Sequence, residues 1–315
     1  DDKGSIIKFN ESSKIIWKNN FYNKSEKKLK PILNFDNDKN ILIVTDNLSK
    51  YYAININTGE LLWEKYNSAP FNSQVKIYKD RFFVIDFDNV LKCFSIKDGN
   101  ELWKFNTGNP FLKSEKRHSL IIANDGVYFN NSLGDITGLN IKNGYLLWQT
   151  PTQNTTTIED AFNFKNSDIV ANQESIVFSN NRNEFYSLNL KTGKLNWKQQ
   201  INSNVRPTII NDLIFSVSNE GFLFVIKTQS GDIIRITDVF QSFKKKKRKK
   251  INPEGFIVGK ENLYLTTSNG RLLIIDISLG KTVSILKIAG EKISQPFISN
   301  KRLFIVKDNS IIKLN

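Results

Sequence analysis

One short phrase recurs along the chain: a Gly in a polar turn, with a Trp four residues later. It is written as Asn57-Thr58-Gly59 with Trp63, Asp98-Gly99 with Trp103, Asn143-Gly144 with Trp148 and Thr192-Gly193 with Trp197. Two copies keep the turn without the indole, Ser230-Gly231 with Arg235 and Leu279-Gly280 with Ser284. An earlier copy, Ser12-Ser13 with Trp17, keeps the indole without the Gly. Self-similarity at a period of about forty to fifty residues marks units too small to bury their own apolar faces, so that stacked neighbours must share a core. The 315 residues therefore need not divide into ordinary domains.

Each unit reads as four short strands. In the unit that ends at Trp63, Pro31-Ile32-Leu33-Asn34-Phe35 is followed by Ile41-Leu42-Ile43-Val44-Thr45, then Tyr51-Tyr52-Ala53-Ile54-Asn55-Ile56, then Leu61-Leu62-Trp63-Glu64. β-Branched and aromatic runs of this length, bounded by Asn, Asp and Gly, are strands joined by hairpins. The Gly supplies the positive φ that a tight turn requires. No segment sustains a helical period. The expected fold is all-β: a β-propeller of four-stranded antiparallel blades. Both faces of a blade are buried in such a fold. Each Trp should then fill the wedge between blades near the outer strand, its indole N–H satisfied by a neighbouring backbone.

The two ends indicate where the repeat is cut. Ser5-Ile6-Ile7-Lys8-Phe9-Asn10 is nearly repeated by Ser310-Ile311-Ile312-Lys313-Leu314-Asn315, and both read as third strands. Six complete units lie between, leaving one strand more than seven blades need at about four apiece. This favours an eight-bladed fold whose first blade is incomplete, with a seven-bladed closure as the alternative. Residues 1–315 are expected to form a single propeller domain, truncated at its N-terminus. The chain begins Asp1-Asp2-Lys3 and has no Met, so an upstream segment is expected, where a signal peptide or lipid anchor could lie.

Little in the sequence points to chemistry. A single cysteine, Cys93, excludes an internal disulfide and any thiolate metal cluster, and it sits in the apolar strand Val90-Leu91-Lys92-Cys93-Phe94 as a small buried hydrophobe. The sole histidine, His118, follows Lys116-Arg117 in a polar connector and reads as solvated. With no second His, there is no zinc pattern. Asp36-Asn37-Asp38-Lys39-Asn40 begins like a calcium loop but lacks the Gly at its sixth position and the closing Glu, so it reads as a turn. Phosphate-binding Gly loops are absent. No catalytic, cofactor-binding or metal site is expected, and the chain does not read as an enzyme.

The net charge of +14 suits an anionic partner, although a chain this rich in Lys, Asn and Ile also fits an AT-rich coding sequence. The densest cluster is Lys244-Lys245-Lys246-Lys247-Arg248-Lys249-Lys250, in the connector from Asp238 to Pro253. In a four-stranded blade, connectors between blades emerge beside the turns joining second to third strands, opposite the Gly turns. The other long connectors, 21–30, 106–118 and 153–166, share that face. Long loops on one side of a repeat fold often mark its binding side. The run is a candidate contact for an acidic protein or anionic headgroups. Without interleaved aromatics for base stacking, it does not suggest nucleic acid.

The strings Ile56-Asn57-Thr58-Gly59-Glu60-Leu61-Leu62-Trp63 and Leu190-Lys191-Thr192-Gly193-Lys194-Leu195-Asn196-Trp197 resemble the pyrroloquinoline-quinone-type propeller repeat, over nearly the whole chain. Within that superfamily the chain is most similar to the BamB family, lipoprotein scaffolds of the outer-membrane β-barrel assembly machinery. The resemblance implies an eight-bladed, periplasmic, lipid-anchored, non-enzymatic monomer that binds the periplasmic part of a barrel protein. No partner-binding loop residue of that family can be matched here. Quinoprotein dehydrogenases share the repeat but are longer and carry an adjacent Cys pair, which one cysteine cannot provide. A quinone-dependent oxidoreductase and a generic interaction hub are the alternatives.

Overall fold

The computed structural model describes residues 1–108, 117–132, 134–152, 166–308 and 310–314. The chain divides into two compact units, Asp1–Asn163 and Phe164–Asn315.

In the first unit, β1 (Ile6–Phe9) and β2 (Ile15–Asn19) form a hairpin, followed by the one-turn helix α1 (Lys24–Lys28). Blade 1 contains β3 (Leu33–Asp38), β4 (Ile41–Asp46), β5 (Lys50–Asn55) and β6 (Leu61–Tyr66). Blade 2 contains β7 (Lys76–Tyr78), β8 (Arg81–Ile85), β9 (Val90–Ser95) and β10 (Glu101–Asn106). Blade 3 contains β11 (Leu120–Ala123), β12 (Gly126–Asn130), β13 (Ile136–Asn140) and β14 (Leu146–Thr150).

In the second unit, blade 4 contains β15 (Val170–Ala171), β16 (Ser175–Ser179), β17 (Phe185–Asn189) and β18 (Leu195–Gln199). Blade 5 contains β19 (Thr208–Ile210), β20 (Leu213–Val217), β21 (Phe222–Lys227) and β22 (Ile233–Asp238), and the short helix α2 (Lys245–Arg248) follows it. Blade 6 contains β23 (Pro253–Val258), β24 (Asn262–Thr267), β25 (Arg271–Asp276) and β26 (Lys281–Lys287). Blade 7 contains β27 (Phe297–Ser299), β28 (Arg302–Lys307) and β29 (Ser310–Leu314).

Each blade is an antiparallel meander with sequential strands paired, the all-β propeller architecture expected. The eight-bladed count is corrected. Among the described residues there are seven blades: six four-stranded sheets and a three-stranded seventh. Strands β1 and β2 form a two-stranded sheet of their own. A repeat count cannot distinguish such a hairpin from half of a further blade, because its sequence carries the same third-strand and indole pattern.

Burial follows position within the blade. The second and third strands are covered on both faces and read as nearly continuous apolar runs, as in Ile43–Val44 and Tyr51–Ile54, all at most 5% exposed. Outer strands alternate: in β6, Trp63 and Lys65 turn inward while Leu62 and Glu64 turn out. The extended stacks of apolar side chains lie between adjacent blades. Phe82 and Phe94 of blade 2, for example, meet Tyr51 of blade 1, with ring centroids 6.4 and 4.8 Å apart.

The outer strand of each four-stranded blade carries a one-residue bulge immediately before the Trp position. Ala53 pairs with Trp63 and Ile54 with Leu61, so Leu62 is the extra residue; Leu102, Leu147, Asn196, Ile234 and Val283 occupy the same place. A bulge re-aims the following side chain and increases local twist. Here the residue that follows it, Trp63, Trp103, Trp197 or Arg235, reaches the next Gly turn. The turn between second and third strands is closed by a side chain at its first residue. Asp46 Oδ1 accepts the amides of Leu48 and Lys50, each at 2.8 Å, and Asp86 Oδ1 those of Asp88 and Val90 at 3.0 and 3.1 Å.

Candidate interaction face

The repeat residues act between blades. Trp17 donates its Nε1–H to Ile56 O, Trp63 to Ile96 O and Trp197 to Thr228 O, each at 2.9 Å. These acceptors belong to the Gly turn of the next blade along the chain. The ring lies on that turn's glycine: a Cβ built on Gly59 would meet Trp17 at 2.8 Å, on Gly99 Trp63 at 2.7 Å, on Gly144 Trp103 at 2.6 Å and on Gly231 Trp197 at 2.6 Å. Trp103 covers Gly144 in the same way, but its Nε1 has no partner. Trp148 packs on Tyr128 at 5.6 Å, and Gly193 closes its own turn by donating to Asn189 O at 2.8 Å.

Sequence reading missed the role of Arg235. It stands in the indole position, and its guanidinium donates to Ser278 O at 2.9 Å and to Ile277 O, while its stem packs on Gly280. Arg235 replaces the missing Trp as the tie to the next turn. The signal was available, since only Arg among polar residues offers a planar multi-donor group at the end of a long apolar stem. Ser284 has no such reach.

The basic run lies on the face opposite these turns. Phe240, at the start of its connector, packs on Gly221 in the turn between β20 and β21, and Val239 N donates to Gly221 O at 3.0 Å. At the far end, Asn252 and Ser268 exchange hydrogen bonds beside the turn joining β24 and β25. Arg248 anchors the short helix α2 through a 2.6 Å ion pair with Asp238. Lys244, Lys245, Lys246, Lys247, Lys249 and Lys250 are all exposed and have no carboxylate partner among the described residues. The geometry separates one anchor from six outward ammonium groups, which a run of like charges does not reveal by itself.

Connector 21–30 is held by a buried polar cluster. Tyr22 donates to Asp46 Oδ2 at 2.5 Å, and Lys50 Nζ, on a side chain only 3% exposed, donates to Phe21 O at 2.5 Å and pairs with Glu64 at 3.0 Å. The same ammonium sits 5.2 and 5.5 Å from the ring centroids of Tyr22 and Tyr66, and Tyr66 donates to Glu26 at 2.9 Å. Burial raises the Asp46 carboxyl against its hydrogen bonds, and it raises the Tyr22 hydroxyl strongly. Asn23 caps α1 in a reciprocal box with Glu26. Most of connectors 106–118 and 153–166 lies outside the described residues.

His118 is not solvated: it is 2% exposed, its backbone donates to Asn72 O at 2.8 Å, and Ser132 Oγ lies 3.5 Å from Nε2. Burial lowers its pKa to about 4, so the ring is neutral. Parallel bridging with Ser73, ahead of blade 2, holds the buried end of this connector ahead of blade 3, which its polar sequence neighbours conceal. Cys93 is fully buried, and burial pushes its thiol up to about 12. Among the described residues, no group of three His, Cys, Asp or Glu side chains is placed to hold a metal, and no helix is long and apolar enough to cross a membrane.

Antiparallel meander blades tied edge to turn by an indole or by Arg235 define a quinoprotein-type propeller. Residues 2–237 match the family profile described as outer membrane protein assembly factor BamB, and the chain belongs to this family. BamB from Moraxella catarrhalis superposes with a TM-score of 0.79 at 13% identity, over 99% of this chain and 91% of that one. The computationally designed protein Ika8 superposes with a TM-score of 0.65 at 14% identity, over 87% of this chain and 80% of its own. At these identities both structures speak for the fold. No match was found among the curated proteins.

Proposed function

We propose that the protein is a non-enzymatic, periplasmic scaffold of the BamB kind. It supports the assembly of outer-membrane β-barrel proteins through protein contacts made while held at the outer membrane as a monomer by an upstream lipid anchor. Family membership across residues 2–237 carries this reading. The working surface in this proposal is the face of the second-to-third turns, where Lys244–Lys247, Lys249 and Lys250 project without internal partners. Its chemistry suits an acidic surface on the periplasmic part of the barrel protein, with anionic headgroups as a second contact worth about 1 kcal/mol per lysine.

The test is binding of the full chain to that periplasmic part and to anionic vesicles across a salt series. The comparison is a variant with those six lysines changed to Gln and Arg248 retained as anchor. The proposal expects weaker, less salt-dependent binding by the variant. Unchanged affinity for both would remove the run from the working surface. Dye reduction after reconstitution with pyrroloquinoline quinone and Ca²⁺ would contradict the scaffold reading.

A further inference from the structure

In the second unit, blades 4 and 5 enclose an open groove of about 580 Å³ on the side of the Gly turns. Its volume falls in the range of small-molecule sites. Its lining differs from the usual apolar kind, because every residue is an amide, a hydroxyl or a carboxylate. Blade 4 contributes Asn172, Glu174, Ser175 and Asn196, and blade 5 contributes Asp212 and Thr228.

Comparison with the other blades shows that this polarity is local. Thr228 follows the third strand where the other Gly turns have Ile56, Ile96, Ile141, Leu190 and Ile277. Asn196 is the bulge residue where the others have Ile16, Leu62, Leu102, Leu147, Ile234 and Val283. Two positions that are apolar in every other copy of their motif thus turn polar together, and both face one groove. The joint after blade 2 is crossed, whereas this one is not. At the first residue of the second strand, blade 2 has Arg81, which crosses to the next turn and donates to Lys142 O at 3.1 Å. Blade 4 has Ser175 there, too short to cross.

Part of this lining is spent internally: Asn172 Oδ1 accepts from the amides of Glu174 and Ser175 and from Ser175 Oγ, and Asn196 Nδ2 donates to Ser187 Oγ at 3.2 Å. The rest is not. Thr228 is 9% exposed, and its backbone is engaged on both sides, by the Trp197 indole at 2.9 Å and by Asp212 O at 2.8 Å. Its Oγ1 nevertheless has no hydrogen-bond partner. A buried hydroxyl left unpaired is costly, and a threonine where the repeat has isoleucine gains nothing from packing. The carboxylates of Glu174 and Asp212 are without ion-pair or hydrogen-bond partners among the described residues, in a chain of net charge +14.

We propose that this groove is a binding site for a neutral, hydroxyl-rich saccharide. A sugar hydroxyl both donates and accepts, and it matches what the amides leave over, a donor on Asn172 and an acceptor on Asn196. Carboxylates take hydroxyl donors in short, charge-assisted bonds and repel anions. A simple amine would use the two carboxylates and leave the amides and the Thr228 hydroxyl idle. A metal ion would need a third strong ligand, which the groove does not supply.

The test is calorimetric titration of the full chain with maltotriose and with the N-acetylglucosamine trimer, beside putrescine and a glucuronate oligomer. Two variants are compared. Asn196→Leu with Thr228→Ile restores the repeat's own apolar residues, and Ser175→Arg closes the groove as Arg81 does in blade 2. Both are expected to fold, by circular dichroism, as the parent does. Saturable binding of at least one neutral trisaccharide, weakened about tenfold or more in each variant, supports the site. No saturable binding of either trisaccharide below about 10 mM would overturn it. So would equal binding by parent and variants, or binding confined to putrescine or the anionic oligomer.

Discussion

The indole of Trp63 lies on Gly99, with its Nε1–H bonded to Ile96 O at 2.9 Å, although in sequence Trp63 belongs to the turn of Gly59. Gly and Trp of one phrase therefore serve different joints. Gly59 receives the Trp17 ring, and Trp63 covers the turn of Gly99. This explains why the two keep a fixed spacing without touching. Gly99 has φ +68°, and a methyl group there would have to displace the ring. Gly99→Ala should cost about 2–4 kcal/mol in denaturant unfolding, and Trp63→Ala about 3–5 kcal/mol. Gly290→Ala, where a Cβ meets nothing within 4 Å, should be nearly neutral.

Arg235 makes the same joint by other means. Arg235→Ala should destabilise by about 1.5–3 kcal/mol, the range of hydrogen bonds to a charged group. Lys at this position should recover little, since one ammonium cannot span Ile277 O and Ser278 O in a fixed plane. Arg235→Trp should recover most of the loss. Chemical denaturation of the three variants decides this.

His118 gives stability a pH dependence of known sign. Its folded pKa of about 4 lies below its ordinary 6.5, so between those values the unfolded chain binds the extra proton. Stability due to neutral His118 is complete above about pH 6.5 and is lost as pH falls through about 4, by about 3 kcal/mol at full extent. Buried Asp46, Asp86 and Asp135, whose carboxyls burial raises, contribute with the opposite sign. The measurement is therefore the difference between the parent and His118→Gln in unfolding free energy across this range. That difference should fall with pH if burial of the neutral ring is its source.

Cys93 should resist thiol reagents at about pH 8 in the native state and react fully after unfolding in guanidinium. Its fully buried thiol, pushed up to about 12, has neither access nor thiolate. Prompt labelling of the folded protein would contradict the packing between blades 2 and 3.

The blade pattern was legible because strand period and turn residues are local, and Gly59–Trp63 repeats them almost verbatim. Blade number was less legible, since the hairpin Ile6–Asn19 carries the same local signals as half a blade. The partner of each indole was hidden because the bulge at Leu62 redirects it across a joint that sequence distance does not show. His118 and Lys50 were misjudged or missed for a related reason: both look polar among polar neighbours, yet Ser73, Phe21 and Glu64 arrive from distant segments to bury and pair them. The six free lysines were visible as charge. Their separation from the anchored Arg248 required Asp238, ten residues away along the chain.

The scaffold reading is tested most directly by titrating the purified chain against the isolated periplasmic part of the outer-membrane barrel protein. Saturable one-to-one binding is expected, weakened by salt and by changing Lys244–Lys247, Lys249 and Lys250 to Gln. Absence of binding at low salt, with the chain folded and His118 and Cys93 behaving as buried, would contradict it.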